Sequence, residues 1–436
     1  DLMEISENYL TNRVRRESGQ ATAIYFPTSQ EEVVAIMLDV RKNQQKLITI
    51  GGHTGLSGAT FPDDHQVLMS LEKLNRIIKL DIETMTLTVE AGVTIAEISE
   101  YLVDTPYFYA PDPGSKEASI GGNAATNAGG MRAVKYGVTR DNIRAMRVIL
   151  ADGRELRVGS INRKDSSGYD LKDIFIGSEG TLGVITELDL KIQSKPKFSR
   201  DVLLSFENLT QLSPKVFEIL ASGLTPATLE FFERDSMAYS ERALQLDFPD
   251  ISGQAFLLIT LDGNAEQQLE DELSYLASLS DESLILTDEQ TRNAVWQLRG
   301  AIVSSVELES IQEPLDVVVP VNKIAPTIIA LKQMAIEANL SAIFFGHAGD
   351  GNIHANIIKN DLTDEEWTEK LEAYLDVLYA YVAKVGGKPS AEHGIGLLKK
   401  PFFQKYTGTS ELVAMKAIKR AFDPENILNP GKIFDL

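Results

Sequence analysis

The chain contains no cysteine. That excludes disulfides, thiolate catalysis, and iron–sulfur or zinc centres held by Cys. It has only two Trp and five His, so metal ligation or proton transfer must draw on a handful of imidazoles and on carboxylates. No run of about 18 apolar residues occurs, which excludes a transmembrane helix. Positive charge is scarce: 42 Lys and Arg stand against 63 Asp and Glu, a formal net charge of −21. A body this acidic repels phosphate backbones and anionic lipid heads. Neither nucleic-acid binding nor electrostatic membrane docking is expected. Internal repeats and low-complexity segments are absent as well.

What is there reads as an ordinary soluble protein, with 43% hydrophobic and 24% charged residues. At about 150 residues per domain, 436 residues suggest two or three domains. The chain begins at Asp1 rather than Met, which leaves a removed leader open. The visible N-terminus is polar and is not a signal peptide. The composition suits a cytoplasmic protein.

The first 200 residues read as mixed α and β. A helix is predicted over Thr28–Asn43, where Val33, Ile36, Met37 and Val40 share a face. Leu47–Ile50, Val67–Ser70, Ile77–Leu80 and Thr86–Glu90 read as strands, and Ile95–Leu102 as a short helix. Beyond Arg200 glycine thins. Strands are predicted at Val202–Phe206 and Phe256–Asp262, and helices at Gln211–Ser222, Ala265–Leu279 and Asn322–Asn339. This alternation suits an α+β domain with an antiparallel sheet. Asp364–Val385 and Ser410–Phe422 read as helices, the second with Ser410 as N-cap.

Three glycine-rich stretches stand out: G-G-H-T-G-L-S-G from Gly51, the run Pro111–Gly130, and G-S-E-G-T-L-G from Gly177. Glycine at this density lets backbone N–H groups approach an anion, and successive N–H groups form an anion-binding nest. One such loop is as well explained by a tight turn; three within about 200 residues are not. No G-x-G-x-x-G joins a strand to a helix with an acid about 20 residues on, so a Rossmann site does not fit. The three loops, with K-Y-G (Lys135–Gly137), D-N-I (Asp141–Ile143) and F-D-P-E-N-I-L-N-P-G-K (Phe422–Lys432), resemble the FAD-binding (PCMH-type) vanillyl-alcohol-oxidase superfamily. The similar branch holds the glycolate oxidase flavoprotein subunit, D-lactate dehydrogenase and D-2-hydroxyglutarate dehydrogenase.

The resemblance implies an α+β fold with a PCMH-type FAD-binding domain over 1–200. A substrate, or cap, domain with an antiparallel sheet and a metal site follows over 201–385, and a C-terminal segment, 386–436, returns to the FAD domain. It implies that Gly51, Gly52, His53, Thr54, Gly55, Leu56 and Ser57, with Ser119, Gly121, Gly122, Asn123, Thr126 and Asn127, hold the FAD pyrophosphate. Pro111, Asp112, Gly180, Gly183 and Val184 would lie along the adenosine and flavin. His53 departs from the Gly or Asn common in this branch. It reads as a loop-stabilising residue; covalent flavin attachment, as in distant members, is the alternative.

Three of the five histidines sit in G-H-A-G-D-G-N-I-H (Gly346–His354) and A-E-H-G-I-G (Ala391–Gly396). The His-x6-His spacing suits a strand–turn–strand hairpin that brings two imidazoles together. With no Cys available, a metal must be held by N and O donors. His347, His354 and Glu392 form a two-His, one-carboxylate set compatible with zinc, manganese or iron. On an extended segment Glu392 and His393 would point apart, so one can ligate while the other moves a proton. The family implies that division, with His393 as general base, an imidazole being suited to neutral pH. Arg299, in W-Q-L-R-G, resembles the family's carboxylate-binding arginine, and Asn356 a further substrate contact. A helix-surface salt bridge is the bland reading of Arg299.

Two departures bear on the substrate. Pro314 stands where the family usually has a Lys near the substrate, and Val303 where 2-hydroxyglutarate enzymes have a Thr. The expected substrate is therefore a monocarboxylic D-2-hydroxy acid such as D-lactate or a larger aliphatic one. D-2-hydroxyglutarate, an ether-lipid synthase-like reaction and a non-catalytic electron-transfer flavoprotein are the alternatives. Electrons would leave to a soluble electron-transfer flavoprotein, a quinone or a cytochrome; a homodimer is left open.

Overall fold

The computed structural model describes residues 5–12 and 17–436. They divide into two units. The first comprises the described residues up to Gly130, with Gly137–Lys195 and Glu392–Leu436; the second comprises Met131–Tyr136 and Pro196–Ala391.

The first unit holds a parallel three-stranded sheet in the order Ala21–Tyr25, Gln66–Ser70, Leu47–Ile50. Beside it, an antiparallel five-stranded sheet runs Ile77–Asp81, Thr86–Glu90, Val184–Lys191, Ile143–Ile149, Glu155–Gly159. The first long helix spans Gln30–Lys42 and buries Val33, Met37 and Val40, as the 3.6-residue period dictates. It starts later than Thr28 because Ser29 is the cap: its hydroxyl accepts from the Glu32 amide at 3.2 Å, while Glu32 accepts from the Thr28 amide at 2.7 Å.

The second glycine-rich stretch contains a helix, Ile120–Thr126, that glycine content argues against. Close packing outweighs propensity there. A Cβ on Gly121 would come within 2.7 Å of the Ala91 Cβ, so only glycine lets the helix seat against that strand end. The C-terminal helix spans Thr409–Phe422, with Gly408 at its N-cap and no capping side chain. Ser410 is thus inside the first turn, not the cap.

The motif that follows this helix is an anchor. Asp423, fully buried, accepts from the Ile427 and Leu428 amides at 2.9 and 2.8 Å and pairs with Lys419. Lys419 also donates to the carbonyls of Thr181 and Leu428 at 2.7 and 2.8 Å, tying the chain end to the third glycine loop.

The second unit is built on one antiparallel sheet of seven strands. Their order is Glu282–Ile285, Phe198–Phe206, Ala255–Gly263, Thr228–Glu233, Ser341–His347, Asn352–Ile358, Gln312–Val318. Helices Leu209–Ala221, Glu266–Ala277, Ile324–Glu337 and Asp364–Lys384 lie close to the predicted spans. The register sets one face. Glu230 opposes His347, Phe345 opposes His354, and His354 opposes Asp316, while Asn356 opposes Pro314. Cross-strand partners share a face, and so do residues two apart. Glu230, His347, Phe345, His354, Asn356, Asp316 and Pro314 therefore all project to one side. Gln312–Val318 is an edge strand, which is where proline is tolerated in a sheet.

Candidate active site

In the first unit the three glycine loops line one cleft. It is bordered by Gly51, Gly52, His53, Thr54, Gly55 and Ser57 from the first loop, and by Ser119, Gly121, Gly122, Asn123 and Thr126 from the short helix. Gly180, Gly183 and Val184 come from the third. Leu56, Pro111, Asp112 and Asn127 are not among the lining residues. Asp112 pairs with Lys116, and Asn127 caps the helix in a left-handed conformation while its side chain accepts from the Arg140 amide at 3.0 Å.

Two observations fit an anionic cofactor such as FAD here. Ser119 Oγ gathers the amides of Gly52 and Gly122 at 3.0 and 3.2 Å, drawing two loops together where a Cβ on Gly51 would strike it at 2.3 Å. Thr49 and Asn429 line the cleft, and the buried Thr49 Oγ1 and Asn429 Oδ1 have no hydrogen-bond partner among the described residues. Unspent polar atoms in a cleft are what a polar ligand satisfies. His53 adopts a left-handed φ of 56°, and its Nε2 lies 2.6 Å from the Thr11 carbonyl, an acceptor that fixes Nε2 as the protonated nitrogen. That contact supports the loop-stabilising role.

Sequence reasoning did not find Glu179 or Asn429 in this cleft. Glu179 lines it from a left-handed φ of 51°, and its carboxylate accepts from the amides of Ile395 and Gly396 at 3.1 and 2.8 Å. Burial pushes its pKa up to about 7, against the lowering effect of those amides and of Lys399. The folded state then holds this proton more tightly than the unfolded chain. The stability it contributes is complete below about pH 4.5 and lost as pH rises through about 7. Glu179→Gln should remove that loss. The variant's stability relative to wild type should rise between pH 4.5 and 7, by on the order of 3 kcal/mol, and then level off. Urea unfolding across this window measures it, and a pH-independent difference would count against a titrating Glu179.

The segment carrying Glu392 and His393 is a run of bends rather than extended chain, because Gly394 and Gly396 turn it with φ of 81° and 53°. The two side chains consequently do not diverge: His393 Nε2 lies 3.9 Å from Glu392 Oε1. Glu392 lies over Gly129, where a Cβ would meet its carboxylate at 2.7 Å.

In the second unit the predicted hairpin forms, with a short turn at Ala348–Asp350 between the strands that carry His347 and His354. The imidazoles meet with Nε2 atoms 3.3 Å apart and rings near perpendicular at 87°. His347 Nδ1 donates to Glu230 Oε1 at 2.7 Å, which turns its Nε2 toward His354. Two nitrogens each about 2.0–2.1 Å from a tetrahedral ion sit about 3.3–3.4 Å apart, so this pair fits a divalent cation.

Asp316, at 0% exposure, lies with Oδ1 3.9 Å from His354 Nδ1. It also accepts from Asn352 at 2.8 Å and from the Ser390 hydroxyl and the Ala391 amide, each at 3.1 Å. Ala391 immediately precedes Glu392 in the chain.

Arg299 is buried, at 5% exposure, rather than on a helix surface. Its Nη2 donates to Glu230 Oε2 at 2.6 Å, its guanidinium lies 4.9 Å from the Phe345 ring centre, and its Nε is buried with no partner among the described residues. Asn356 is buried on the same side and donates to Gln312 at 2.6 Å; Gln312 in turn donates to the Val303 carbonyl at 2.8 Å. Glu230 and Asp316 carried a signal in the sequence that went unused: an acid flanked by apolar residues within a strand, Leu229 and Phe231 in one case, Leu315 and Val317 in the other.

The cleft and fold define an FAD-binding oxidoreductase of two α+β units. Residues 21–159 match the FAD binding domain family and residues 195–433 the family of FAD linked oxidases, C-terminal domain. The chain belongs to the FAD-linked oxidase family. It is 38% identical over 417 residues to D-lactate dehydrogenase of Anaerostipes hadrus, covering 93% of this chain and 88% of the relative. It is 33% identical to glycolate oxidase subunit GlcD of Bacillus subtilis (strain 168), covering 94% and 88%. With D-2-hydroxyglutarate dehydrogenase of Stutzerimonas stutzeri (strain A1501) it shares 30%, covering 95% and 91%. The solved structure of p-cresol methylhydroxylase with substrate bound superposes with a TM-score of 0.78 at 19% identity, covering 98% of this chain and 92% of that one. Among the described residues no helix is long and apolar enough to cross a membrane.

Proposed function

We propose that this chain oxidises a D-2-hydroxy acid bearing one carboxylate, such as D-lactate or a larger aliphatic one, to the 2-keto acid. The observation that carries the reading is the hydrogen-bonded line from buried Arg299 through Glu230 and His347 to part-buried His354, an anion grip beside a nitrogen pair suited to a cation. The names of the relatives support the substrate class and its handedness.

When bound, FAD supplies the hydride acceptor, and a zinc, manganese or iron ion on His347, His354 and Glu392 the polarisation of the substrate hydroxyl. Arg299 offers its Nε–H, unpartnered among the described residues, to the substrate carboxylate as a charge-assisted hydrogen bond. Asn356 steadies the bound acid. His393 takes the hydroxyl proton as C2 gives up its hydride, so the alcohol carbon becomes a carbonyl. The two electrons then pass to an external acceptor. The charge of −21 favours a soluble redox protein with a basic docking face, such as an electron-transfer flavoprotein, over a quinone or cytochrome reached at an anionic membrane.

Anaerobic mixing with a panel of D- and L-2-hydroxy acids, followed by flavin absorbance, tests the reading. Bleaching by D-lactate or a longer aliphatic acid is expected; a clear preference for 2-hydroxyglutarate would overturn the monocarboxylate assignment. Pro314 sits across from Asn356 and offers no cation to a second carboxylate. Pro314→Lys should shift the ratio of kcat/KM toward 2-hydroxyglutarate by about tenfold or more, one well-placed ion pair being worth about 1.4 kcal/mol. An unchanged ratio would place the specificity elsewhere.

A further inference from the structure

Glu230 does two things at once. One oxygen accepts from the imidazole of His347 at 2.7 Å, and the other accepts from the guanidinium of Arg299 at 2.6 Å. Its carboxylate is at 0% exposure, on a strand whose register sets it opposite His347. A second bridge runs in parallel: the Phe345 ring lies 4.9 Å from the Arg299 guanidinium and 5.3 Å from the His354 ring. Nothing in the proposed chemistry requires the anion grip and the metal ligand to share a support, yet both rest on this one side chain.

We propose that Glu230 is a positioning residue that couples metal binding to recognition of the substrate carboxylate. The inference rests on the functional reading above. Through Oε1 it sets the tautomer of His347, so that Nδ1 carries the proton and Nε2 presents its lone pair. Such outer carboxylates raise ligand basicity and fix ring orientation. Through Oε2 it holds Nη2 of Arg299 and leaves the Nε–H donor for the substrate. A shift of the carboxylate toward either partner changes its geometry at the other. A cation that draws His347 forward therefore alters the setting of Arg299. By thermodynamic reciprocity, an anion held by Arg299 alters metal affinity by the same factor.

The experiment uses the full FAD-loaded protein. Zn²⁺ affinity is measured by chelator competition for wild type, Glu230→Gln and Glu230→Asp, each with flavin content and melting temperature recorded, followed by KM at saturating Zn²⁺. Glu230→Gln keeps the shape but loses the charge that both partners use. It should weaken Zn²⁺ binding by about 10–100-fold and raise KM about tenfold while FAD content holds. Glu230→Asp keeps the charge but is too short to span both partners, and should recover one of the two effects and not the other. Phe256→Leu, in the core of the same sheet, serves as the structural control: it should lower the melting temperature and leave Zn²⁺ affinity unchanged. If wild type binds Zn²⁺ and oxidises a 2-hydroxy acid but Glu230→Gln matches it in both Kd and KM, the coupling role is wrong and the functional reading stands. If wild type binds no Zn²⁺, Mn²⁺ or Fe²⁺, the functional reading fails and the Glu230 role with it.

Discussion

Arg299→Met is expected to damage stability and catalysis together, and for separable reasons. Glu230 is fully buried, and Arg299 is its cationic partner. Removing one member of a buried pair strands a charge in a low dielectric, at a cost of about 3–5 kcal/mol. Removing both is far milder, because the desolvation cost disappears with the charge. The double variant Arg299→Met/Glu230→Met should therefore unfold at a higher urea concentration than Arg299→Met alone. It should remain below wild type, because His347 Nδ1 then lacks its acceptor, a loss of about 1–3 kcal/mol. Simple additivity of the two changes would show that the pair is not coupled. Neither variant should restore activity. A hydrogen bond to a charged group contributes about 1.5–3 kcal/mol, so losing the one from Arg299 Nε should lower kcat/KM by roughly 10–10²-fold.

His393→Ala should separate proton transfer from binding. A positioned general base contributes about 10²–10⁴-fold to rate, and kcat should fall by that factor. The cofactor cleft should be unaffected, since His393 is not among its lining residues, so flavin content should match wild type. Added imidazole should recover part of the lost rate, because it can fill the space and accept the proton. A variant retaining kcat within tenfold of wild type would remove His393 from the base role.

Much of this was legible locally. The His-x6-His spacing in G-H-A-G-D-G-N-I-H gave the hairpin, and with it the meeting of two imidazoles, because a tight turn between strands leaves little choice of partner. The glycine loops announced a backbone that must pass close to something. The amphipathic helices followed their 3.6-residue period to within a few residues. The short helix at Ile120–Thr126 was not legible: its glycines argue against helix, and only the close approach of Ala91 explains them. Capping was misjudged at Ser410 because the cap falls two residues earlier, on Gly408, and the helix begins at Thr409. The bends at Glu392 and His393 follow from glycine φ angles that no periodicity reveals.

Taken alone, the sequence settled the inventory. With no cysteine and five histidines, any metal must sit on imidazole and carboxylate, and a surplus of 21 negative charges requires local cations wherever an anion is to bind. Which carboxylate serves which cation was decided by tertiary structure. Glu230 lies 117 residues from His347 and 69 from Arg299. Its partners are chosen by sheet register and by a helix packed on that face. Local patterns specify what each residue can do, whereas desolvation and strand pairing specify what it meets, and a buried charge has no tolerable state except against the partners the fold delivers.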